Sequence, residues 1–344
     1  FLAVASTLSP KLQRVVLELV IADLSKFLRL GLTEEARRFV DAVPGNAASI
    51  RGLRITLDEL IYREELISKK DGVEPAHLRS LRLWRDAIQP TTPLERLVDI
   101  TGRNTWNVRR KDSEGRLVDD DGETYSCIAE SILSDLSIIT SAEDWLDSSE
   151  CLSGNYLGLQ TGKLDKSLAL MATVTMWLQK GRCAGFVVGY LSGVAAQKDG
   201  LPEEAQHLLD RNVVTQPSLV LSATIHADVC DRGFARIHSL IARASEDEIL
   251  PVRSLAFGRW ADFLAAQEKK ALLETLAKLS EAGNQHALGI TFDLLAGWTR
   301  IGAKELDPLL HSIAVRLLVA AQDAERRIDD HDWKIVVEKV MDFF

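Results

Sequence analysis

A helix-start signal returns at Pro217, Pro251 and Asn284, at intervals of 34 and 33 residues. This recurrence constrains the chain more than any other feature. Each start opens an apolar run with helical spacing, followed by a more polar one. Units too short to bury an apolar face alone must stack on their neighbours. The prolines point the same way. Pro10, Pro44, Pro75, Pro90, Pro93, Pro202, Pro217, Pro251 and Pro308 all stand at expected helix boundaries. A proline inside a helix costs about 3 kcal/mol, so this placement predicts an all-α chain. Asp307-Pro308 supplies an N-cap and a first helical residue. Thr140-x-x-Glu143 and Ser245-x-x-Glu248 have capping-box spacing.

Taken in order, residues 10–29 predict a helix ended by Gly31, and Thr33 caps a second helix that Pro44 closes. Residues 47–68 and 75–89 continue as helices. Residues 99–126 break the pattern. Asp112-Ser113-Glu114-Gly115 and Asp121-Gly122 look like turns, so an irregular or β-hairpin insertion is expected there. Residues 128–139 return to helix, and the Gly- and Ser-rich residues 147–163 read as a loop. Beyond it, Gly181, Gly185, Gly189 and Gly193 fall at four-residue spacing. Each glycine costs a helix about 1 kcal/mol against alanine, so close backbone approach by a neighbour is expected in compensation. Residues 167–174 echo 218–225, which predicts similar helices in similar slots. Further pairs are expected as 202–211 with 217–230, 234–244 with 251–264, and 268–281 with 284–298, then helices over 306–326 and 331–343. The expected divisions are 1–98 (helical hairpins), 99–163 (acidic irregular insertion) and 164–344 (helical repeats).

Two stretches carry a resemblance. Phe27, Gly31, Glu35-Ala36 and Val40 resemble one tetratricopeptide hairpin. Asp247-Glu248-Ile249-Leu250-Pro251-Val252-Arg253-Ser254-Leu255-Ala256 resembles a HEAT-type repeat, with Asp before the second helix and Val-Arg near its start. The resemblance implies an α-solenoid of stacked antiparallel helix pairs whose concave surface receives a protein or peptide.

Composition bounds the function. The net charge of −9 disfavours bulk non-specific nucleic-acid binding. The charge is uneven: +2 over residues 1–90, −8 over 91–165 and −3 over 166–344. Arg51, Arg54, Arg79, Arg82 and Arg85 form the alternative, a phosphate- or nucleic-acid-binding face. Its bland counterpart is a set of solvated helix faces paired with acids, as Asp58 stands four residues from Arg54. Cys127, Cys151, Cys183 and Cys230 are widely spaced, which suits a reducing, cytoplasmic compartment. Charged residues interrupt the apolar runs, so no membrane span is expected. Both ends look cut from a longer, multidomain chain.

Catalytic signals are thin. Gly158–Leu164 has a phosphate-loop flavour, but the spacing is short and Leu164 stands where Ser or Thr would hold Mg²⁺. His226, Cys230 and His238 could supply three zinc ligands but no fourth is evident, so a packed, hydrogen-bonded His226 and a buried Cys230 are the expected reading. His226, Asp228 and His238 are the candidates if the chain is an enzyme. Asp119-Asp120-Asp121 lacks the alternation of a calcium loop. The leading expectation is a non-catalytic interaction, sensor or scaffold module without a cofactor. Its partner would meet the irregular segment at Trp106, Arg109, Arg110, Asp119, Asp120 and Asp121.

Overall fold

The computed structural model describes residue 24 and residues 26–41, 47–71, 76–103, 110–111, 117–118, 120–300, 308–321 and 330–341. The chain divides into two compact units, Phe1–Val108 and Arg109–Phe344. The fold is all-α.

In the first unit, helices α1 (Thr33–Asp41), α2 (Ala47–Asp71), α3 (Ala76–Ala87) and α4 (Pro93–Thr101) are present. Most of the helix expected over 10–29 lies outside the described residues. Its end is as expected: Gly31 takes φ +77°, with Gly31 N donating to Leu28 O and Leu32 N to Phe27 O. That double bond satisfies two terminal carbonyls, and only a residue at ease with positive φ can close it. The core joins Leu24, Leu28 and Ala36 to Leu53, Leu57, Leu60 and Ile61 of α2 and Leu78 and Leu81 of α3. Helix α4 starts from a complete capping box, Thr92 with Glu95, ahead of Pro93. Backbone bonds from Thr92 and Thr91 hold the Glu95 pKa down to about 2.

In the second unit, Arg110–Lys111 and Leu117–Val118 pair antiparallel over two residues each. The β-hairpin insertion expected over 99–126 is not supported, because Asp120–Ser134 forms a continuous helix, α5. A ladder of two residues cannot hold a β element on its own. Short helices α6 (Ser137–Ser141) and α7 (Glu143–Leu146) follow.

Residues 147–163, read as a loop, contain helix α8 (Gly154–Leu164). Then come α9 (Met171–Lys180) and α10 (Ala184–Lys198). Gly181 is the left-handed cap of α9, at φ +67°, and not part of the glycine face of α10. The glycines explain why α8 exists. A Cβ on Gly158 would lie 2.3 Å from Phe186 O, and on Gly162 2.1 Å from Tyr190 O. Reciprocally, a Cβ on Gly189 would lie 1.9 Å from Asn155 O and on Gly193 2.3 Å from Leu159 O. Numbers rise together on both helices, so α8 and α10 run parallel, backbone against backbone. Dispersion gained along this contact offsets the poor helix propensity of the glycines.

The remaining elements are α11 (Glu203–Asn212), α12 (Pro217–Ala227), α13 (Asp231–Ile241), a 3-10 segment (Leu250–Ala256), α14 (Gly258–Phe263), α15 (Ala266–Glu281), α16 (Gln285–Arg300), α17 (Pro308–Ala321) and α18 (Asp330–Met341). The helix expected over 251–264 is broken. Phe257 is extended at φ −134° and ψ 165°, and Gly258 takes φ +64°. Indole N–H groups satisfy carbonyls at the ends of neighbouring elements. Trp260 Nε1 donates to Ile225 O at 2.6 Å, and Trp298 Nε1 to Leu255 O at 2.9 Å. The echo between 167–174 and 218–225 carries into structure only over its second half, where 171–174 open α9. Residues 218–225 are helical, whereas Leu168 stands at φ +59° in the turn before α9.

Packing neighbours follow a series: α5 with α8, α8 with α10, α10 with α12, α12 with the 3-10 segment, that segment with α16, and α16 with α18. A second set meets along the side, α9 with α11, α13 with α15, and α15 with α17.

Gly189→Ala is expected to destabilise the second unit by about 2–3 kcal/mol through overpacking. Gly185→Ala meets nothing nearer than 3.5 Å and is expected to be neutral or to stabilise by up to about 1 kcal/mol. Urea midpoints of the two variants check the contrast.

Candidate functional site

The densest buried polar constellation joins α11, α12 and α13. Arg236 of α13 and Asp228, just past α12, each keep 2% of the side chain exposed and meet at 2.8 Å. Arg236 Nη2 donates to Gln206 Oε1 at 2.8 Å and Asp210 Oδ1 at 2.7 Å, and its Nε to Asp210 Oδ1 at 2.9 Å. Gln206 Nε2 and the Cys230 thiol donate to Asp228 Oδ1. Outside this group, Arg232 binds Asp210 and Glu203. Desolvation pushes the Asp210 pKa up, but bonds from Arg232 and Arg236 outweigh it and leave the pKa below the ordinary carboxylate value.

This arrangement rivets three helices. Each Arg236 nitrogen has an acceptor, and both Asp228 oxygens have donors, so neither group turns a free valence outward. The enzyme candidates do not converge. Asp228 faces this network, His226 is exposed rather than packed, Cys230 is only partly buried, and His238 Nε2 lies 3.1 Å from Thr275 Oγ1 on α15. Among the described residues, no group of three or more His, Cys, Asp or Glu is placed to hold a metal. Gly158–Leu164, weighed as a phosphate loop, lies inside α8 against α10.

Two further anchors were not read from sequence. Arg182 binds Glu143, Asp144 and Asp147, while Asp147 Oδ1 accepts from Cys183 N at 2.7 Å. Burial, then the charges of Asp147 and Glu143, push the Cys183 thiol up to about 12. A thiol so held is a poor nucleophile near neutral pH. Asp165, 2% exposed, accepts from Ala169 N, Leu170 N and Tyr190 Oη. It ties the strained turn at Leu168 to α10.

The arginines named from sequence occupy the first unit, in unlike settings. Arg54 is buried on Asp99 at 3.0 Å, rather than on Asp58. Asp58 meets Arg85 at 3.7 Å and Arg103 at 3.1 Å. Arg82 pairs with Glu65 at 2.9 Å, and Arg79 is exposed. Arg51 lies over Gly102, with Cδ 2.8 Å from where a Cβ would stand. Arg103, which joins Arg54, Arg85 and both acids, was missed. Its sequence signal was the Asp99-x-x-x-Arg103 pair, bonded at 2.7 Å. Of the proposed partner-binding set, Trp106, Arg109 and Asp119 lie outside the described residues. Arg110 lies in the two-residue ladder, and Asp120 and Asp121 open α5.

In the same unit, Glu64 is buried at 3% and binds Arg29 at 2.9 Å and His77 at 3.1 Å. No protein-family model, curated protein or solved structure matches this chain.

Arg236→Met leaves Asp228 buried without its cation and is expected to cost about 3–5 kcal/mol in chemical denaturation. Arg236→Met with Asp228→Leu is expected to lose less than the single change. Acid stability follows from Glu64. Burial raises its pKa, yet the Arg29 and His77 bonds leave the folded value below the ordinary 4.5. A depressed carboxylate adds stability that is present above the unfolded pKa and lost as pH falls through the folded one. Glu64→Gln is therefore expected to flatten the loss of stability below pH 4.5, measured as midpoint against pH.

Proposed function

We propose that the second unit is a non-catalytic interaction module, an α-solenoid whose stacked helix pairs present an extended surface to a protein or peptide. The observation that carries this reading is the serial packing of α8, α10, α12, the 3-10 segment, α16 and α18. Units that contact chiefly their neighbours build such surfaces. The buried ionic groups of α11–α13 support it too, because they bind one another and offer no reacting centre. Leu250 (38% exposed), Phe257 (54%) and Phe263 (38%) supply apolar contact residues around α14. The segment 99–126, with Trp106, Arg109, Arg110 and Asp119 to Asp121, is the proposed specificity element.

A reducing, cytoplasmic setting belongs to this proposal and rests on four free cysteines. Among the described residues no helix is long and apolar enough to cross a membrane.

The test is partner capture with the full chain, followed by direct titration of the purified partner. The double change Phe257→Asp and Phe263→Asp is expected to weaken binding about tenfold or more with an unchanged helical spectrum. Deleting 104–119, which spares Arg103 and helix α5, is expected to weaken it further. Full affinity in both variants, or no binder in repeated capture and peptide-array screens, overturns the proposal.

A further inference from the structure

The ion cluster of the first unit is incompletely satisfied. Arg54 keeps 5% of its surface exposed. Its Nη2 touches Asp99 Oδ1 at 3.0 Å, but off the line that a hydrogen bond requires, so that oxygen is otherwise unbonded. Arg54 Nε and Nη1 are buried without a hydrogen-bond partner, and so is Arg103 Nε. Buried polar groups are nearly always bonded, and an orphaned guanidinium edge calls for an acceptor.

The charges around it are unbalanced in the same sense. Arg54, Arg85 and Arg103 share two internal carboxylates, Asp58 and Asp99. Arg85 turns also to Asp86 at 2.6 Å, on the outer side. Arg51 lies across Gly102, next to Arg103. Burial lowers the Arg54 pKa most; Asp99 offsets this and Arg103 lowers it again. The side chains of Arg103 and Arg85 keep 19% and 26% exposure. They therefore form the rim, with Arg54 beneath.

We propose that Arg54, Arg85 and Arg103 form a site for a phosphate-class oxyanion, which supplies the acceptors that Arg54 Nε and Nη1 and Arg103 Nε lack. The orphaned donors sit on two different guanidinium groups. Asp99 touches both groups but leaves these three nitrogens unbonded, whereas a tetrahedral anion, with oxygens pointing in several directions, suits donors on two groups. Guanidinium forks match phosphate oxygens, and bonds between charged partners are the stronger kind. The site belongs to the first unit; Asp99 and Arg103 stand at the start of the segment 99–126 proposed for specificity, so the test reads anion binding and not partner binding.

The test is thermal unfolding of the full chain titrated with inorganic phosphate against chloride at equal ionic strength. A parallel arm uses phosphoserine. Wild type is expected to show a saturable rise in Tm with phosphate and none with chloride. Arg103→Gln, at the rim, is expected to weaken the apparent phosphate affinity about tenfold or more. Asp58→Asn removes a competing carboxylate and is expected to tighten it, a change of sign that lost stability alone does not produce. Saturation by phosphoserine as well assigns the site to phosphomonoesters. Saturation by phosphate alone assigns it to the free anion. Equal responses to phosphate and chloride in wild type overturn the proposal, as does an unchanged phosphate response in folded Arg103→Gln.

Discussion

The second unit depends on the parallel contact between α8 and α10. Four glycines, Gly158 and Gly162 facing Gly189 and Gly193, let two backbones meet with no side chain between them. Any Cβ at these positions would overlap a carbonyl or amide of the partner helix. The contact also places the polar anchors. Tyr190 of α10 reaches the buried Asp165 that follows α8, and Asp165 in turn holds the turn into α9. One helix pair therefore fixes the connection that returns the chain between its two members.

Charge plays different parts in the two units. At Arg236 the guanidinium edges are filled by Asp210, Gln206 and Asp228, and the group is closed. Such a rivet favours one arrangement of α11, α12 and α13, because any displacement leaves a buried ion unpaired. At Arg54 only one nitrogen meets a carboxylate. The two arginines are equally buried, but one network is complete and the other is open.

Much of the fold was legible, and the misreadings have physical causes. Proline placement and apolar spacing led to the all-α class, because both are local properties of the chain. The four-residue glycine spacing on α10 implied a backbone neighbour, and one is there. The neighbour itself was hidden. Gly154, Gly158 and Gly162 look like loop residues, since local propensity carries no trace of the helix that they pack against. The start at Pro251 was visible, but the break at Phe257 was not. The residues that bridge it, Trp260 and Trp298, bond to carbonyls 35 and 43 positions away. In the first unit the arginines stood out by number. Their sorting into a paired Arg82, an exposed Arg79 and a buried Arg54 depended on acids from other helices, Asp99 among them.

The joints along the packed series are unequal. Between α8 and α10 the seam is continuous main chain on main chain. Around the 3-10 segment the helix is interrupted, and the joint is made instead by the buried Val252, Leu255 and Ala256, by Gly297 against Ala256, and by indole bonds from Trp260 and Trp298. Both large exposed aromatics of that stretch, Phe257 and Phe263, flank the break at Gly258. A ligand resting on both would span two elements at once, and would hold the 3-10 segment and α14 at the angle that the left-handed Gly258 sets.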